Sequence, residues 1–249
     1  MSAPNPLSDK IALVTGASRG IGRAAALALA KAGAHVIAVA RTEGGLTELD
    51  DEIRTATGQP ATLVPLDVSD GDALDGLGLA LHQRFGRLDV LVHAAAILGP
   101  MTPVSHIEPK DWARVVAVNL TATYRLIRST EPLLRASQAG RAIFLTTGRV
   151  AHPKAFWGPY GITKAGLEHM VRTWADELEQ TKVRAVLLDP NTMRTAMRAA
   201  AMPGEDPMTV TDPSEIGPLI VELAQADLGL PHANVVFARW KAAGTLASA

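Results

Sequence analysis

The stretch Thr15-Gly16-Ala17-Ser18-Arg19-Gly20-Ile21-Gly22 decides the fold of this chain. An apolar run at 11–14 precedes it, and an Ala/Leu-rich segment at 24–32 follows it without Gly or Pro. This order of strand, glycine turn and helix is the context of a phosphate-binding turn, because glycines let the backbone approach a ligand and the helix N-terminus attracts an anion. The three-then-one glycine spacing differs from the usual dinucleotide fingerprint, so an ordinary strand–helix turn is the alternative.

Composition narrows the class of protein. The net charge is −1 and no Lys or Arg run stands out, which argues against nucleic acid and membrane surfaces as partners. With no cysteine, disulfides and thiolate metal sites are excluded, and the scattered histidines show no metal-ligand spacing, so no metal is expected. Residues 1–10 are polar and no apolar run approaches the roughly 20 residues of a membrane helix, so a cytoplasmic protein is expected.

Strand-length apolar runs alternate with longer helical stretches along the whole chain. Strands are predicted at 11–15, 35–40, 61–66, 89–95, 142–147, 183–188 and 234–237, and helices at 24–32, 43–57, 69–86, 109–135, 160–180 and 213–226. Wholly apolar strands are typical of parallel sheets, which are buried on both faces. The alternation predicts one α/β domain over 1–249, with a doubly wound, Rossmann-type, mostly parallel sheet of about seven strands and helices on both faces. Pro132 is expected to bend or end its helix.

The ends of the second and third strands are expected to contact a cofactor, because ligands of such sheets lie outside the carboxyl ends of the strands. Where an NAD site places an acid, this chain has Arg41, which suits a 2′-phosphate. Arg19 is within reach of the same phosphate in this interpretation, and a solvated surface role is the alternative for each arginine. Asp67 is expected to accept a hydrogen bond from adenine, or else to cap the next helix, as Ser69 or Asp70 would do equally well.

The reactive group is predicted at Tyr160-Gly161-Ile162-Thr163-Lys164. A spacing of four places Tyr160 and Lys164 on one helix face. A cation at about 4 Å in an effective dielectric near 20 contributes roughly 4 kcal/mol, or about three pKa units. Lys164 is therefore expected to lower the pKa of the phenol from near 10 and make it a usable acid/base. The alternative is an ordinary amphipathic helix face.

Together, the glycine turn, Asp67, Asn119 and the Tyr160–Lys164 pair resemble the classical short-chain dehydrogenase/reductase family, over about residues 10–240. The resemblance implies that Tyr160 is the catalytic acid/base, that Lys164 holds the nicotinamide ribose and lowers the tyrosine pKa, and that Asn119 helps to hold a water in a proton relay. An ordinary polar residue in a helix is the alternative for Asn119. The resemblance implies NADP(H) contacts from Gly16, Ser18, Arg19, Gly20, Ile21, Gly22, Arg41, Asp67, Val68, Ala94, Ala95, Asn119, Tyr160, Lys164, Pro190 and Thr195.

The family places a serine thirteen residues before the tyrosine, and this chain has Thr147 there. Threonine keeps the hydroxyl donor but adds a methyl group and is stiffer at χ1. Thr147 is therefore expected to polarise the substrate carbonyl in a narrower pocket, with Thr146 as the fallback.

Two further departures concern the backbone. The family's Asn-Asn-Ala-Gly reads His93-Ala94-Ala95-Ala96 here, so that Ala96 replaces a glycine near the cofactor. The family's Pro-Gly reads Pro190-Asn191, and asparagine tolerates a left-handed conformation well enough to keep the turn. For His93, as for His152, a structural or surface role is expected.

The resulting prediction is an NADP(H)-dependent oxidoreductase that reduces a carbonyl to an alcohol, or the reverse, on an unknown small molecule. The alternative is a non-catalytic NADP(H)-binding sensor or scaffold of the same fold. Thr147, Ala96 and Asn191 favour this alternative, and the retention of both Tyr160 and Lys164 argues against it.

The stretch 191–211 is expected to be a lid-like insertion over the ligand or a tolerated surface excursion. Arg194 and Arg198 would favour an anionic substrate or face water. The resemblance also implies a homotetramer or homodimer built from helices 109–135 and 160–180. An apolar, adaptable pocket wall is suggested by Met193, Met197, Met202 and Met208.

Overall fold

A computed structural model, which describes residues 5–225 and 232–246, has a seven-stranded sheet at its centre. The strand order is β3-β2-β1-β4-β5-β6-β7, and every neighbouring pair is parallel. The strands are β1 Ile11–Thr15, β2 His35–Ala40, β3 Thr62–Pro65, β4 Val90–His93, β5 Arg141–Leu145, β6 Arg184–Asp189 and β7 His232–Val236. The α-helices are α1 Gly20–Lys31, α2 Glu43–Thr57, α3 Gly71–Phe85, α4 Pro109–Val116, α5 Ala122–Ala136, α6 Gly158–Glu177, α7 Ala196–Ala201, α8 Gly217–Gln225 and α9 Phe237–Ala243.

Alternating side chains on the central strands pack into two separate hydrophobic cores, one on each face of the sheet. In β1, Ala12 and Val14 join one core with residues of α1, α2 and α8, whereas Leu13 joins the other with residues of α3, α5 and α6. In β2, Ile37 and Val39 belong to that second core. Because successive residues of a strand point to opposite faces, a strand between two helical layers is apolar throughout. This confirms the predicted α/β class, and the sheet is wholly parallel.

The strand order reverses between β1 and β4, and this reversal positions the functional site. Thr15, at the end of β1, is in register with Val39 of β2 on one side and with His93 of β4 on the other. The chain leaves these neighbouring strands in opposite directions, so a crevice opens at their carboxyl ends. The glycine turn and the residues that follow β4, β5 and β6 all lie at this edge.

The structure excludes one of the two outcomes expected of Pro132, namely that it ends the helix. This proline lies inside α5, which continues to Ala136. The helix persists because Leu133 and Leu134 bury its apolar face, and this packing outweighs the missing backbone donor. The predicted helix 109–135 is instead interrupted at Ala117–Thr121, which forms a π-helical turn.

Strand and helix ends differ from the predictions by a few residues. The last strand ends at Val236, and Phe237, predicted as its final residue, begins α9 and is buried. β5 ends at Leu145, so Thr147 stands in the turn after the strand. The predicted helix 213–226 begins as a 3-10 turn, Pro213–Ile216, before α8, and Ala226 lies outside the described residues.

Candidate active site

The glycine turn between β1 and α1 is closed tightly on itself. Gly16 and Gly20 have positive φ angles of 69° and 57°. A Cβ on Gly22 would lie 2.3 Å from the carbonyl oxygen of Gly16, and one on Gly16 would lie 2.9 Å from the backbone of Ala95. Backbone atoms cannot yield as a flexible side chain does, so Gly16 and Gly22 exclude every larger residue. The turn is a cradle made of main chain.

The N-terminus of α1 offers this cradle to an anion. Arg19, the N-cap residue, makes no side-chain hydrogen bond to the first turn, and the first turn carries no acidic residue. The helix therefore presents its N-terminal N–H groups and positive dipole end with no carboxylate in competition. These features, with the cationic Arg19, fit the pyrophosphate of a dinucleotide.

Other predicted cofactor residues pack around the turn. Ser18 lies so close to the start of α2 that a Cβ on Gly45 would come within 2.9 Å of the Ser18 Cβ. Ile21 packs against the core, and Val68 and Pro190 are buried at the ends of β3 and β6. The structure thus places all of these residues around the crevice, as part of its packing.

Arg41 and Asp67 stand side by side after β2 and β3. Arg41 Nη1 lies 3.6 Å from Asp67 Oδ2, and both side chains are substantially exposed, so the pair contributes little stability and leaves the guanidinium accessible. Asp67 Oδ1 accepts hydrogen bonds from the N–H and hydroxyl of Ser69. Burial raises the pKa of Asp67, but these bonds and Arg41 lower it further, to a net value below its usual range. The cap of α3 is Asp70, which accepts from the Ala73 N–H, so Asp67 is not the cap.

His93 occupies the centre of the sheet and not the reactive site. Its Nδ1 lies 2.8 Å from Thr15 Oγ1 and its Nε2 lies 3.1 Å from Thr123 Oγ1. Burial first, and then the charge of Lys164, lower the pKa of His93 to about 3, so the ring is neutral at every physiological pH. The geometry agrees with the structural role expected for His93.

The residues that follow His93 meet the glycine turn. The N–H groups of Ala94 and Ala95 donate to the carbonyl oxygen and the hydroxyl oxygen of Thr15, each at 3.3 Å. In the described part of the chain, the non-glycine residues with positive φ are Asp9, Phe156 and Asn191. Ala96 is not among these, so the alanine that replaces the family glycine causes no backbone strain.

Asn119 lies in the π-helical turn and holds the loop after β4. Its Oδ1 accepts from the Ile97 N–H at 2.9 Å, and its Nδ2 donates to the Ile97 carbonyl oxygen at 2.9 Å and to Thr163 Oγ1 at 3.2 Å. The side chain is fully buried, with both amide hydrogens engaged. A π-helical turn often marks a functional site. Asn119 therefore joins the β4 loop to α6, and its part in a proton relay stays a prediction.

Tyr160 lies near Thr147 and Asp189. Burial first, and then the negative charge of Asp189, raise the pKa of Tyr160 to about 12, whereas an interaction with the Thr147 hydroxyl lowers it. Lys164 Nζ donates to the Leu145 carbonyl oxygen at 2.7 Å. The expectation that Lys164 lowers the pKa of Tyr160 is therefore wrong for this arrangement of side chains, because burial and a neighbouring carboxylate dominate.

Thr146, the fallback for the substrate-polarising hydroxyl, is buried and engaged elsewhere. Its Oγ1 donates to Glu168 Oε1 at 2.5 Å. Thr147 is only partly buried, its Oγ1 accepts from the Arg149 N–H at 3.3 Å, and its hydroxyl interacts with Tyr160. Of the two threonines, Thr147 is the one open to a substrate.

Two carboxylates near Tyr160 and Lys164 were missed in the sequence. Glu168 stands one helical turn beyond Lys164, so the same four-residue spacing would have found it. Asp189 ends β6 and accepts from the Asn191 N–H at 2.8 Å. The position of Asp189 at a strand end was the available signal. Burial, and to a lesser extent the charge of Glu168, raise the pKa of Asp189 against hydrogen bonds from Asn191 and Gly148.

The segment 191–211 begins with a tight turn. Asn191 has a φ angle of 59°, which confirms the left-handed conformation expected there. Thr195 caps α7 by accepting from the Arg198 N–H at 3.2 Å, and its methyl group would lie 3.2 Å from a Cβ on Gly20. The start of the segment therefore packs on the glycine turn. Met193 is buried in a core, and Met208 is largely exposed.

The two arginines of this segment are paired with acids. Arg194 Nη2 lies 2.5 Å from Asp212 Oδ2, and its Nη1 lies 3.3 Å from the Met208 sulfur. Arg198 donates from Nε and Nη2 to both carboxylate oxygens of Glu205, at 2.6 and 2.5 Å. These contacts neutralise the charges of Arg194 and Arg198, which were considered in the sequence as a sign of an anionic substrate.

Over 5–225 and 232–246, no three or more His, Asp or Glu side chains converge as a metal site would require. None of the helices in this part of the chain is both long and apolar enough to traverse a bilayer.

The chain is similar to several known oxidoreductases. An uncharacterised oxidoreductase, YciK of Escherichia coli K12, is 37% identical over 223 residues, which are 89% of this chain and 88% of the relative. A benzil reductase ((S)-benzoin forming) of Saccharomyces cerevisiae is 34% identical over 76% of this chain and 73% of its own. A crystal structure of a short chain dehydrogenase from Shigella flexneri 2a complexed with NADP has a TM-score of 0.90 and 34% identity, over 95% of this chain and 100% of that chain.

The family model described as short chain dehydrogenase matches residues 10–206. This match spans the glycine turn, the Tyr160–Lys164 pair and most of the segment 191–211. The chain belongs to the short chain dehydrogenase family, whose members are oxidoreductases.

Proposed function

We propose that the chain is an NADP(H)-dependent reductase that converts a carbonyl group into an alcohol. The observation that carries the proposal is the Tyr160 phenol next to the partly buried Thr147 hydroxyl, where β5 ends. With a pKa of about 12, Tyr160 keeps its proton at neutral pH, and it lies near Thr147. Such a phenol is a proton donor, and a carbonyl oxygen must receive a proton when it becomes an alcohol. The proposed use of NADPH, a hydride donor, favours the reduction direction.

Each side chain has a distinct part in this reaction. The Thr147 hydroxyl donates a hydrogen bond to the carbonyl oxygen of the substrate, and Tyr160 transfers its phenolic proton to that oxygen as negative charge develops there. Lys164, a buried ammonium one helical turn away, would hold the nicotinamide ribose. NADPH, when bound, supplies the hydride.

The preference for NADP(H) over NAD(H) rests on the end of β2. No acid stands there to accept the ribose 2′-hydroxyl, and Arg41 and Arg19 are both exposed. A guanidinium binds a phosphate through charge-assisted, bidentate hydrogen bonds. Gly16, Gly20 and Gly22 would cradle the pyrophosphate. The NADP complex of the Shigella flexneri relative supports the same choice.

The substrate is an uncharged carbonyl compound with a bulky apolar or aromatic group. Arg194 and Arg198 are neutralised by Asp212 and Glu205, which removes the reason to expect an anion. Phe156 is half exposed in a left-handed conformation with a φ of 72°, which is strained for a bulky residue and typical of functional loops. The neighbouring Trp157 packs its ring at 65° against Tyr160. The benzil reductase among the relatives is named for a diaryl diketone.

The segment 191–211 would act as the lid of a single domain, since it packs on the glycine turn through Thr195 and closes on itself through its own ion pairs. A homodimer or homotetramer would form through α4, α5 and α6. These helices carry exposed large apolar residues that an interface would cover, namely Trp112, Tyr124 and Ile162.

The test is a titration followed by a substrate panel. NADPH is expected to bind more tightly than NADH, and NADPH oxidation is expected with aryl ketones and diketones and not with keto acids of similar size. Equal affinity for the two cofactors would overturn the preference for NADP(H). NADPH binding without turnover of any ketone, aldehyde or quinone would overturn the reductase and favour a non-catalytic sensor.

A further inference from the structure

Glu168 is a buried carboxylate that the proposed reaction does not use. It is 8% exposed, and its oxygens accept from Thr146 Oγ1 at 2.5 Å and Arg172 Nη2 at 2.8 Å. Burial of a carboxylate is costly unless hydrogen bonds and an opposite charge compensate. Arg172 is about half exposed, so solvent screens the attraction between its charge and that of Glu168.

Lys164 is the other buried charge on this face of α6. It is 2% exposed and donates to the Leu145 carbonyl oxygen. Burial lowers the pKa of Lys164 to about 8, and the negative charge of Glu168 raises it. Burial therefore disfavours the ammonium, and the negative charge of Glu168, one helical turn away, opposes the loss of its proton.

We infer that Glu168 is a positioning residue that keeps Lys164 protonated at neutral pH and, through Thr146, anchors the strand end that carries Thr147. The inference rests on the proposed function, in which Lys164 holds the nicotinamide ribose as a cation. Tyr160, Lys164, Glu168 and Arg172 recur every four residues, so alternating charges continue from the phenol to the surface along one helix face.

The other titratable groups around this pair do not replace Glu168. His93, which faces Lys164 from β4, is neutral because its pKa is about 3. Tyr160 keeps its proton, and Asp189, at the end of β6, acts on Tyr160. Among the described residues, the charge that supports the Lys164 ammonium is that of Glu168.

The direct test follows the titration of Lys164 by NMR of ¹³Cε-labelled lysine, with the signal assigned from its loss in Lys164→Met. Glu168→Gln keeps the shape of the side chain and removes its charge, so the titration midpoint should fall by about one pH unit. Arg172→Gln removes the opposite charge, so the midpoint should stay or rise. An unchanged midpoint in a folded Glu168→Gln protein would overturn the inference.

A second readout follows the pH dependence of turnover. The alkaline limb of kcat should shift down with the midpoint in Glu168→Gln, so that kcat falls about fivefold at pH 8 and stays near wild type at pH 6. Glu168→Asp should restore the alkaline limb of kcat to its wild-type position. Thr146→Val removes the hydrogen bond but leaves the charge, so its limb should not move, and a shift as large as that of Glu168→Gln would overturn the electrostatic role. Because the NMR titration needs neither cofactor nor substrate, it decides the inference even if the proposed reaction fails.

Discussion

The two halves of the crevice are built from different material. At the ends of β1 and β2, the cofactor half is mostly backbone, with Gly16 and Gly22 closed against neighbouring main chain. At the ends of β5 and β6, the reactive half is made of side chains, among them Tyr160, Thr147 and Lys164. The cofactor half tolerates no added side-chain atom at its glycines, whereas the pKa values in the reactive half depend on burial and on neighbouring charges.

This difference means that the halves should fail separately. A change in the reactive half should reduce turnover and spare NADPH affinity, and a change at the phosphate contacts should weaken NADPH and spare the chemical step. Lys164 belongs to both halves, because it is proposed to hold the ribose and lies one helical turn from Tyr160. Variants that do not follow this division would show that the halves are coupled.

The largest effect is expected for Tyr160→Phe. The ring and its packing against Trp157 remain, but the phenolic proton is lost, so kcat should fall by about 10²–10⁴-fold. NADPH affinity, measured by fluorescence titration, should stay within about twofold of wild type. Lys164→Met is the contrasting variant and should weaken NADPH as well. Near-normal turnover by the phenylalanine variant would remove Tyr160 from the mechanism.

A smaller loss is expected for Thr147→Val, which keeps the shape of threonine and removes its hydroxyl. The loss of one preorganised donor to the developing oxyanion should lower kcat by about 10²-fold. Thr147→Ser retains the donor and serves as the matched control, with activity kept or raised. Steady-state kinetics of the two variants on one substrate make the comparison, and normal activity of the valine variant would make Thr147 structural.

The smallest effect is expected for Arg41→Ala. The lost charge-assisted contact with a 2′-phosphate corresponds to about 1.5–3 kcal/mol, so the Kd for NADPH should rise tenfold or more while the Kd for NADH stays unchanged. Arg128→Ala, at an arginine that is exposed on α5, is the control and should alter neither Kd. Equal weakening of both cofactors by Arg41→Ala would show that Arg41 does not recognise the phosphate.

The sequence was sufficient to predict the fold and the local structure of the cofactor half. A strand, a glycine turn and an Ala-rich helix are local patterns, and β1, β2 and α2 have the predicted bounds. The continuation of α5 through Pro132 could not be read in this way, because the packing of Leu133 and Leu134 against distant residues determines it. In α5, tertiary contacts outweigh the tendency of proline to end a helix.

The reactive half was only partly predictable. Spacing brought Tyr160 and Lys164 to one helix face, but the pKa of Tyr160 depends on its burial and on Asp189, which lies 29 positions further along the chain. The sequence favoured Thr147 and kept Thr146 as the fallback, but it did not reveal that the Thr146 hydroxyl is engaged by Glu168. Such properties arise from residues brought together by the sheet, and no local pattern records them.

The neutral His93 has a consequence for acid stability. Its pKa is about 3 in the folded chain, against 6.5 for an ordinary histidine, so the unfolded chain binds one more proton at this residue between these two values. Stability therefore rises with pH across this interval, by about 1.4 kcal/mol per unit for one proton, and is lost as the pH falls below 6.5. The imidazole that links Thr15 to Thr123 makes the centre of the sheet sensitive to acid, and above pH 6.5 it contributes no pH dependence of its own.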